Sequence, residues 1–216
     1  MATRDSLYYG TYCMLEDTSG DTHVHVDGNM VVIGTELDWT SEVHVTERGK
    51  EVPRIILSRG ENAIGFLPNE MRKRVQKLLD AGWTCRAFSS ASIFYKLEDR
   101  YLTEVAIICY APEHAREFDA MCSLMAKRLA KGEHPAVALS EKETAHVLSE
   151  KGQWADTKQA ELPKLMKGAA YYKTKQTATE RMALSAASGN KGCYVAVVAC
   201  LVVIIAIVCL LVFLLA

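Results

Sequence analysis

Apolar and polar positions alternate with a period of two through the first third of the chain. In Thr22-His23-Val24-His25-Val26-Asp27 every second residue is apolar, the spacing that puts one set of side chains on each face of a half-buried strand. Asp27-Gly28-Asn29 reads as a turn, and Met30-Val31-Val32-Ile33 as the return strand of a hairpin. Alternation resumes at Glu42-Val43-His44-Val45-Thr46 and stops at the turn Arg48-Gly49-Lys50. The apolar run Val52-Pro53-Arg54-Ile55-Ile56-Leu57 follows. Pro53 has no N–H to give to a ladder and so suits an edge or a strand start.

The period then lengthens. Asn62-Ala63-Ile64-Gly65-Phe66-Leu67-Pro68 is a short strand that runs into a helix. Pro68 suits the first helical position, Met71, Val75, Leu78 and Leu79 recur at helical spacing, and Gly82 is placed to end the helix. Trp83–Phe88 and Tyr101–Tyr110 predict two further strands around the polar turn Lys96–Arg100. Pro112 opens a second helix whose Ala115, Phe118, Cys122, Met125 and Leu129 form one stripe, closed by Gly132. Ser140-Glu141-Lys142-Glu143 is a capping box for a third helix ending near Gly152. Residues 153–176 mix Lys, Gln and Ala around Pro163 without apolar periodicity and predict a linker. Thr177-Ala178-Thr179-Glu180 caps a short juxtamembrane helix ending at Gly189. The pattern predicts an α+β head at residues 1–150, a small antiparallel sheet or barrel with two to three covering helices.

The final 24 residues, Cys193 to Ala216, contain no charge, no Pro and no Gly. A membrane-crossing helix needs about 20 apolar residues, and a buried core helix keeps a polar stripe that this segment lacks. Residues 193–216 are therefore expected to form one C-terminal transmembrane helix, a tail anchor inserted after translation. The N-terminal MATRDSLYYG has no basic region followed by an apolar run, so it does not read as a signal peptide.

Charge changes this picture further. The whole chain carries 25 basic and 26 acidic residues, net −1. Residues 151–192 hold eight basic residues (Lys151, Lys158, Lys164, Lys167, Lys173, Lys175, Arg181, Lys191) against Asp156, Glu161 and Glu180, a net +5; the other 17 basic and 23 acidic residues give the head −6. Basic flanks stay on the cytoplasmic side, so the head is expected there. Lys164, Lys167, Lys173, Lys175, Arg181 and Lys191 are the candidates for contact with anionic lipid headgroups; read as structure, the same lysines belong to a solvated linker. Of seven cysteines, Cys13, Cys85, Cys109 and Cys122 lie in the head without CxxC spacing and Cys193, Cys200 and Cys209 in the tail, so neither a zinc ribbon nor a disulfide framework is indicated. Cys193, at the membrane boundary, is a candidate for S-acylation.

The stretch Asn62–Pro68, the helix Asn69–Ala81 and the two strands after Gly82 together resemble the HIRAN domain, a small β-barrel module of DNA-repair helicases also found alone in bacteria. In that family a strand ending in a Gly-aromatic-Leu-Pro-like turn leads into a helix that covers the barrel. The asparagine-alanine-isoleucine sequence that the family separates from this turn by a further strand is here joined to it, in Glu61-Asn62-Ala63-Ile64. The resemblance implies a barrel and, for the helicase type, binding of single-stranded DNA ends through aromatic and basic residues. A −6 head lacks the cationic surplus from which such binding draws its affinity, so a nucleic-acid site is not carried over.

Two constellations remain. His23 and His25 share one strand face, and His44 on another strand could approach them, with Asp27 or Glu42 nearby, as a zinc or iron set. Read as structure, the three are the solvated face of a sheet whose Val24, Val26, Val43 and Val45 point into the core. For catalysis, Cys109 and Cys122 fall within apolar stripes, Ser89, Ser90 and Ser92 have no GxSxG context, and neither GxxxxGK[ST] nor GxGxxG occurs. The expectation is a non-enzymatic binding or scaffolding head without a cofactor, displayed to a protein partner at the cell membrane; the alternative is a membrane-tethered HIRAN-like nucleic-acid or metal-binding module.

Overall fold

Residues 105–111 are the longest uninterrupted apolar run of the head, and six of them lie in one strand, Arg100–Tyr110. The computed structural model describes residues 7–16, 30–45, 49–153 and 158–187. In chain order these contain β1 (Tyr8–Met14), β2 (Glu36–Val45), β3 (Glu51–Arg59), β4 (Asn62–Phe66), α1 (Asn69–Asp80), β5 (Thr84–Tyr95), β6 (Arg100–Tyr110), α2 (Ala115–Lys131), α3 (Glu141–Ser149), β7 (Ala169–Lys173) and α4 (Ala178–Ala187). The strands pair antiparallel in the order β1-β6-β5-β2-β3-β4, with β7 also on β5. The α+β class read from the sequence is thus correct.

The sheet closes on itself. Glu16, just past β1, exchanges two backbone hydrogen bonds with Phe66 of β4, at 2.9 and 3.0 Å, so the two edge strands join and leave no free edge there. Gly65 makes this seam passable. Its φ is +156°, and a Cβ there would lie 2.8 Å from the Leu15 Cβ and 2.9 Å from the Glu16 carbonyl. Any larger residue would push the strands apart.

β6 is buried on both sides from Thr103 to Tyr110 because one face lines the sheet interior and the other meets α2. α2 turns Phe118, Met121, Cys122, Met125 and Leu129 inward, a helical stripe that adds Met121 to the expected set. Phe118 stacks between Tyr8 and Tyr110, ring centroids 5.3 and 5.2 Å away. Arg86 on β5 bonds Glu36 of β2 with two nitrogens and Asp119 of α2 with a third, at 2.5 to 2.8 Å. Gly132 takes the left-handed position after α2, and the Ser140–Glu143 capping box is complete. Pro68 precedes the first helical residue of α1, one position before the expected one.

Two expectations are corrected. Met30–Ile33 is not a strand but a buried loop: Val31, Val32 and Ile33 are enclosed, and side chains take its carbonyls in place of a ladder. Arg59 donates to Met30, Lys173 to Val31, Ser89 to Val32 and Gln176 to Ile33. Residues 153–176 are not a free linker. Ala160 and Ala136 exchange backbone bonds with the His134 and Lys158 carbonyls, and β7 extends β5 beyond the point where β2 leaves it. One compact unit therefore runs to Gln176, and Thr177 begins a second. There α4 carries its own cap, since the Thr177 hydroxyl and Glu180 carboxylate satisfy each other's backbone N–H groups. The strand expected at Thr22–Asp27 and the segment 193–216 lie outside the described residues. Among the described residues no helix is long and apolar enough to cross a membrane.

Candidate functional site

β2 meets β5 only at Glu36 and Leu37, so residues 38–45 continue as a two-stranded ribbon with β3. That geometry reverses the expected faces around His44. Val43 and Val45 are 61% and 58% exposed, and the half-buried His44 sits opposite Val52. His23 and His25 lie outside the described residues. Among the described residues no group of three or more His, Cys, Asp or Glu side chains converges on a metal position.

The candidate lipid-facing cations divide. Lys164, Lys167 and Lys175 are exposed, as is Arg181 on α4. Lys173 is half-buried and spends its ammonium on the Val31 carbonyl, 3.4 Å away, which ties β7 to the buried loop. Lys191 lies outside the described residues.

The sequence reading missed a buried polar cluster centred on Glu104 of β6. Ser90 Oγ donates to Glu104 Oε2 at 2.7 Å, and His134 Nε2 meets the same oxygen at 2.8 Å. His134 Nδ1 faces the Ala160 carbonyl at 3.2 Å, so both ring nitrogens face oxygen atoms. Tyr12 stacks on the imidazole, centroids 4.0 Å apart, and its hydroxyl donates to the Pro135 carbonyl. Gly10 on β1 lets this segment lie close, because a Cβ there would meet the Val137 carbonyl. All three polar groups are buried. Serine and histidine converge on one carboxylate oxygen rather than on each other. The arrangement fastens residues 134–160 to the sheet. A single charge inside Tyr101–Tyr110 was its one sequence signal.

Three of the four head thiols are held well above neutral. Burial, with Glu104 and Glu16 adding, pushes Cys13 up to about 11. Burial raises Cys122 to about 12, and the Cys85 hydrogen bond with burial raises Cys109 further. All four head cysteines are free of disulfides, and Cys13, Cys109 and Cys122, held above neutral, stay protonated at cellular pH.

Two accessible surfaces stand out. A cleft of about 570 Å³ runs beside α1, floored by Tyr9, Met71 and Leu78 and rimmed by Lys73, Arg74 and Lys77. Arg74 lies over the Tyr9 ring at 5.3 Å and donates to its hydroxyl, while Glu70 holds Lys73 at 3.1 Å. The arrangement suits an anionic group with an apolar body.

The second surface is at the β5–β6 turn. Lys96 N–H bonds the Gly168 carbonyl at 3.1 Å, and Leu97 lies so close to Gly168 that a Cβ there would come within 3.2 Å of it. The Tyr171 hydroxyl donates to the Pro163 carbonyl at 2.7 Å, folding residues 162–168 back on β7. Leu97, Leu162, Leu165 and Met166 are exposed on this end of the unit, interleaved with exposed Lys164 and Lys167. The signal was present in Leu162-Pro163-Lys164-Leu165-Met166-Lys167, but without periodicity it passed for linker.

Neither the family models, nor the curated proteins, nor the solved structures include a match to this chain.

Proposed function

We propose that this chain is a single-pass membrane protein, anchored by residues 193–216, whose α+β head faces the cytoplasm and binds a protein partner without catalysing a reaction. The observation that carries this reading is the run of 24 uncharged residues directly after a stretch of net +5. Apolar length favours insertion, and flanking Lys and Arg set its direction. A binding role is supported by the chemistry of the head: Ser90, Glu104 and His134 are consumed in a buried structural cluster, whereas the groove beside α1 is accessible. The chain is expected to pellet with membranes, to resist alkaline carbonate and high salt, and to dissolve in detergent. Protease added to intact cells should spare the head while reaching a tag placed after Ala216. Full-length protein in the soluble fraction without detergent overturns the anchor, and a head digested from outside overturns the orientation.

A second reading is a membrane-tethered, HIRAN-like nucleic-acid-binding head. It is favoured by one observation: Arg72, Lys73, Arg74 and Lys77 all lie on α1, the helix that follows the Gly65-Phe66-Leu67-Pro68 turn. The two readings separate in a salt titration of single-stranded DNA against the head, which the second requires to bind and the first does not.

A further inference from the structure

We infer that the face built from Leu97, Leu162, Leu165 and Met166, with Lys164 and Lys167 between them, docks on the bilayer surface and fixes how the head is held against the membrane. The inference rests on the reading of residues 193–216 as the anchor.

Leu97 in the turn is 71% exposed, and Met166 is 53% exposed in a short loop that also bears the exposed Leu162 and Leu165. Scattered exposed apolar residues are ordinary, but several on one end of a unit, borne on two chain segments locked by the Lys96–Gly168 and Tyr171–Pro163 hydrogen bonds, mark a surface that is covered in use. Their chemistry selects the occupant. Leucine and methionine side chains insert to the headgroup–acyl boundary, while lysines keep their stems in the interface and their ammonium groups among anionic headgroups. The loop 161–168 carries exposed Lys164 and Lys167 against Glu161. In the turn itself, Lys96 and Arg100 balance Glu98 and Asp99, and Glu98 is paired with Arg100 at 2.6 Å. The face therefore presents positive charge, although the rest of the head is acidic.

Tether length makes weak insertion sufficient. Only residues 177–192 separate this unit from the apolar segment, and ten of them are helical. At about 1.5 Å per helical residue and about 3.4 Å per extended one, they reach roughly 35 Å. A surface tethered that closely to the bilayer meets it at high effective concentration, so a few apolar side chains hold it there.

The experiment uses the full chain reconstituted into vesicles of phosphatidylcholine and phosphatidylglycerol, with part of the phosphatidylcholine brominated on its acyl chains. Tryptophan is placed on the face by Leu97→Trp or Met166→Trp and, as a control, on the β2–β3 ribbon by Val43→Trp. All three positions are more than half exposed, and the native tryptophans contribute equally to each variant. Bromine quenching of the substituted side chain is expected to be roughly twofold or more stronger at 97 and 166 than at 43, and to weaken when phosphatidylglycerol is withheld. Alkaline carbonate extraction of the same vesicles reads the anchor separately. Chain released by carbonate overturns the anchor reading. Chain retained, but quenched no more at 97 and 166 than at 43, overturns docking alone. Shielding of those positions from an aqueous quencher without bromine quenching assigns the face to a protein partner or a second copy, and likewise overturns it.

Discussion

Glu104 shows how one residue organises its surroundings. A carboxylate inside β6 is costly to bury unless it is paired and hydrogen-bonded, and here Ser90 and His134 both meet the same oxygen. Removing His134 leaves that charge with one donor and empties the site beside the Tyr12 ring. His134→Ala is therefore expected to destabilise the head by about 1–3 kcal/mol, the range for leaving a buried polar group short of its partner. Glu104→Gln, which keeps an acceptor for Ser90, should cost less. Urea unfolding of both variants checks the order, and a His134→Ala cost below about 1 kcal/mol would mean that Glu104 is solvated. The sequence displayed the odd charge in Tyr101–Tyr110. It could not display the partner, because a contact between residues 104 and 134 depends on how α2 returns the chain.

Among elements, α3 and β7 illustrate the two extremes. α3 is coded locally: Ser140 accepts from the Glu143 N–H, and Glu143 accepts from the Ser140 N–H and hydroxyl. Lys158, followed by those Ser140 groups, lowers the Glu143 carboxyl to about 2. A depressed carboxylate stabilises the fold above its unfolded pKa of about 4.3 and loses that contribution as pH falls toward its folded value. Thermal melts between about pH 5 and pH 2 should show this loss, and Lys158→Ala should reduce it; an identical acid profile for the variant would contradict the assignment. Lys158 is well exposed, so the pair is worth only tenths of a kcal/mol at neutral pH. Ser140→Ala should cost about 1 kcal/mol.

β7 is coded by its neighbour. Ala169–Lys173 has no strand alternation, and it is extended because the end of β5 offers an unpaired ladder there. Lys173 and Gln176 then close the carbonyls of the buried loop at Val31 and Ile33. A head ended at residue 150 therefore leaves buried acceptors without donors, and should melt several degrees below one ended at 176. Equal melting temperatures would return residues 158–176 to the status of a linker.

At the scale of the whole molecule, the separation of charge governs what the head meets. Net −6 in the first 150 residues opposes phosphate, and at about 0.15 M salt screening confines electrostatic reach to about 8 Å. The four cations of α1 are too few to overcome that repulsion, with Glu70 already holding Lys73. The unit ending at Gln176, which six further lysines against Asp156 and Glu161 bring to a net −2, still has no cationic surplus and is expected not to bind single-stranded DNA at micromolar concentration under these conditions. Micromolar or tighter binding would move the preference to the nucleic-acid reading.

Legible in the sequence was whatever depends on near neighbours: α1, α2 and α3, β3, β4 and β6, the α+β class, and the uncharged run at 193–216. Periodicity, caps and turn residues act over a few positions, and those positions are adjacent in the chain. Tertiary structure alone decided the rest. Val31 and Ile33 are apolar because a loop is buried under donors from β5, β7 and Gln176. Val43 and Val45 are exposed because β2 leaves the sheet. Gly65 is required because Leu15 and Glu16 cross it at the seam. Each of these outcomes depends on a contact between distant segments, which burial and hydrogen-bond satisfaction select only once the whole sheet has closed.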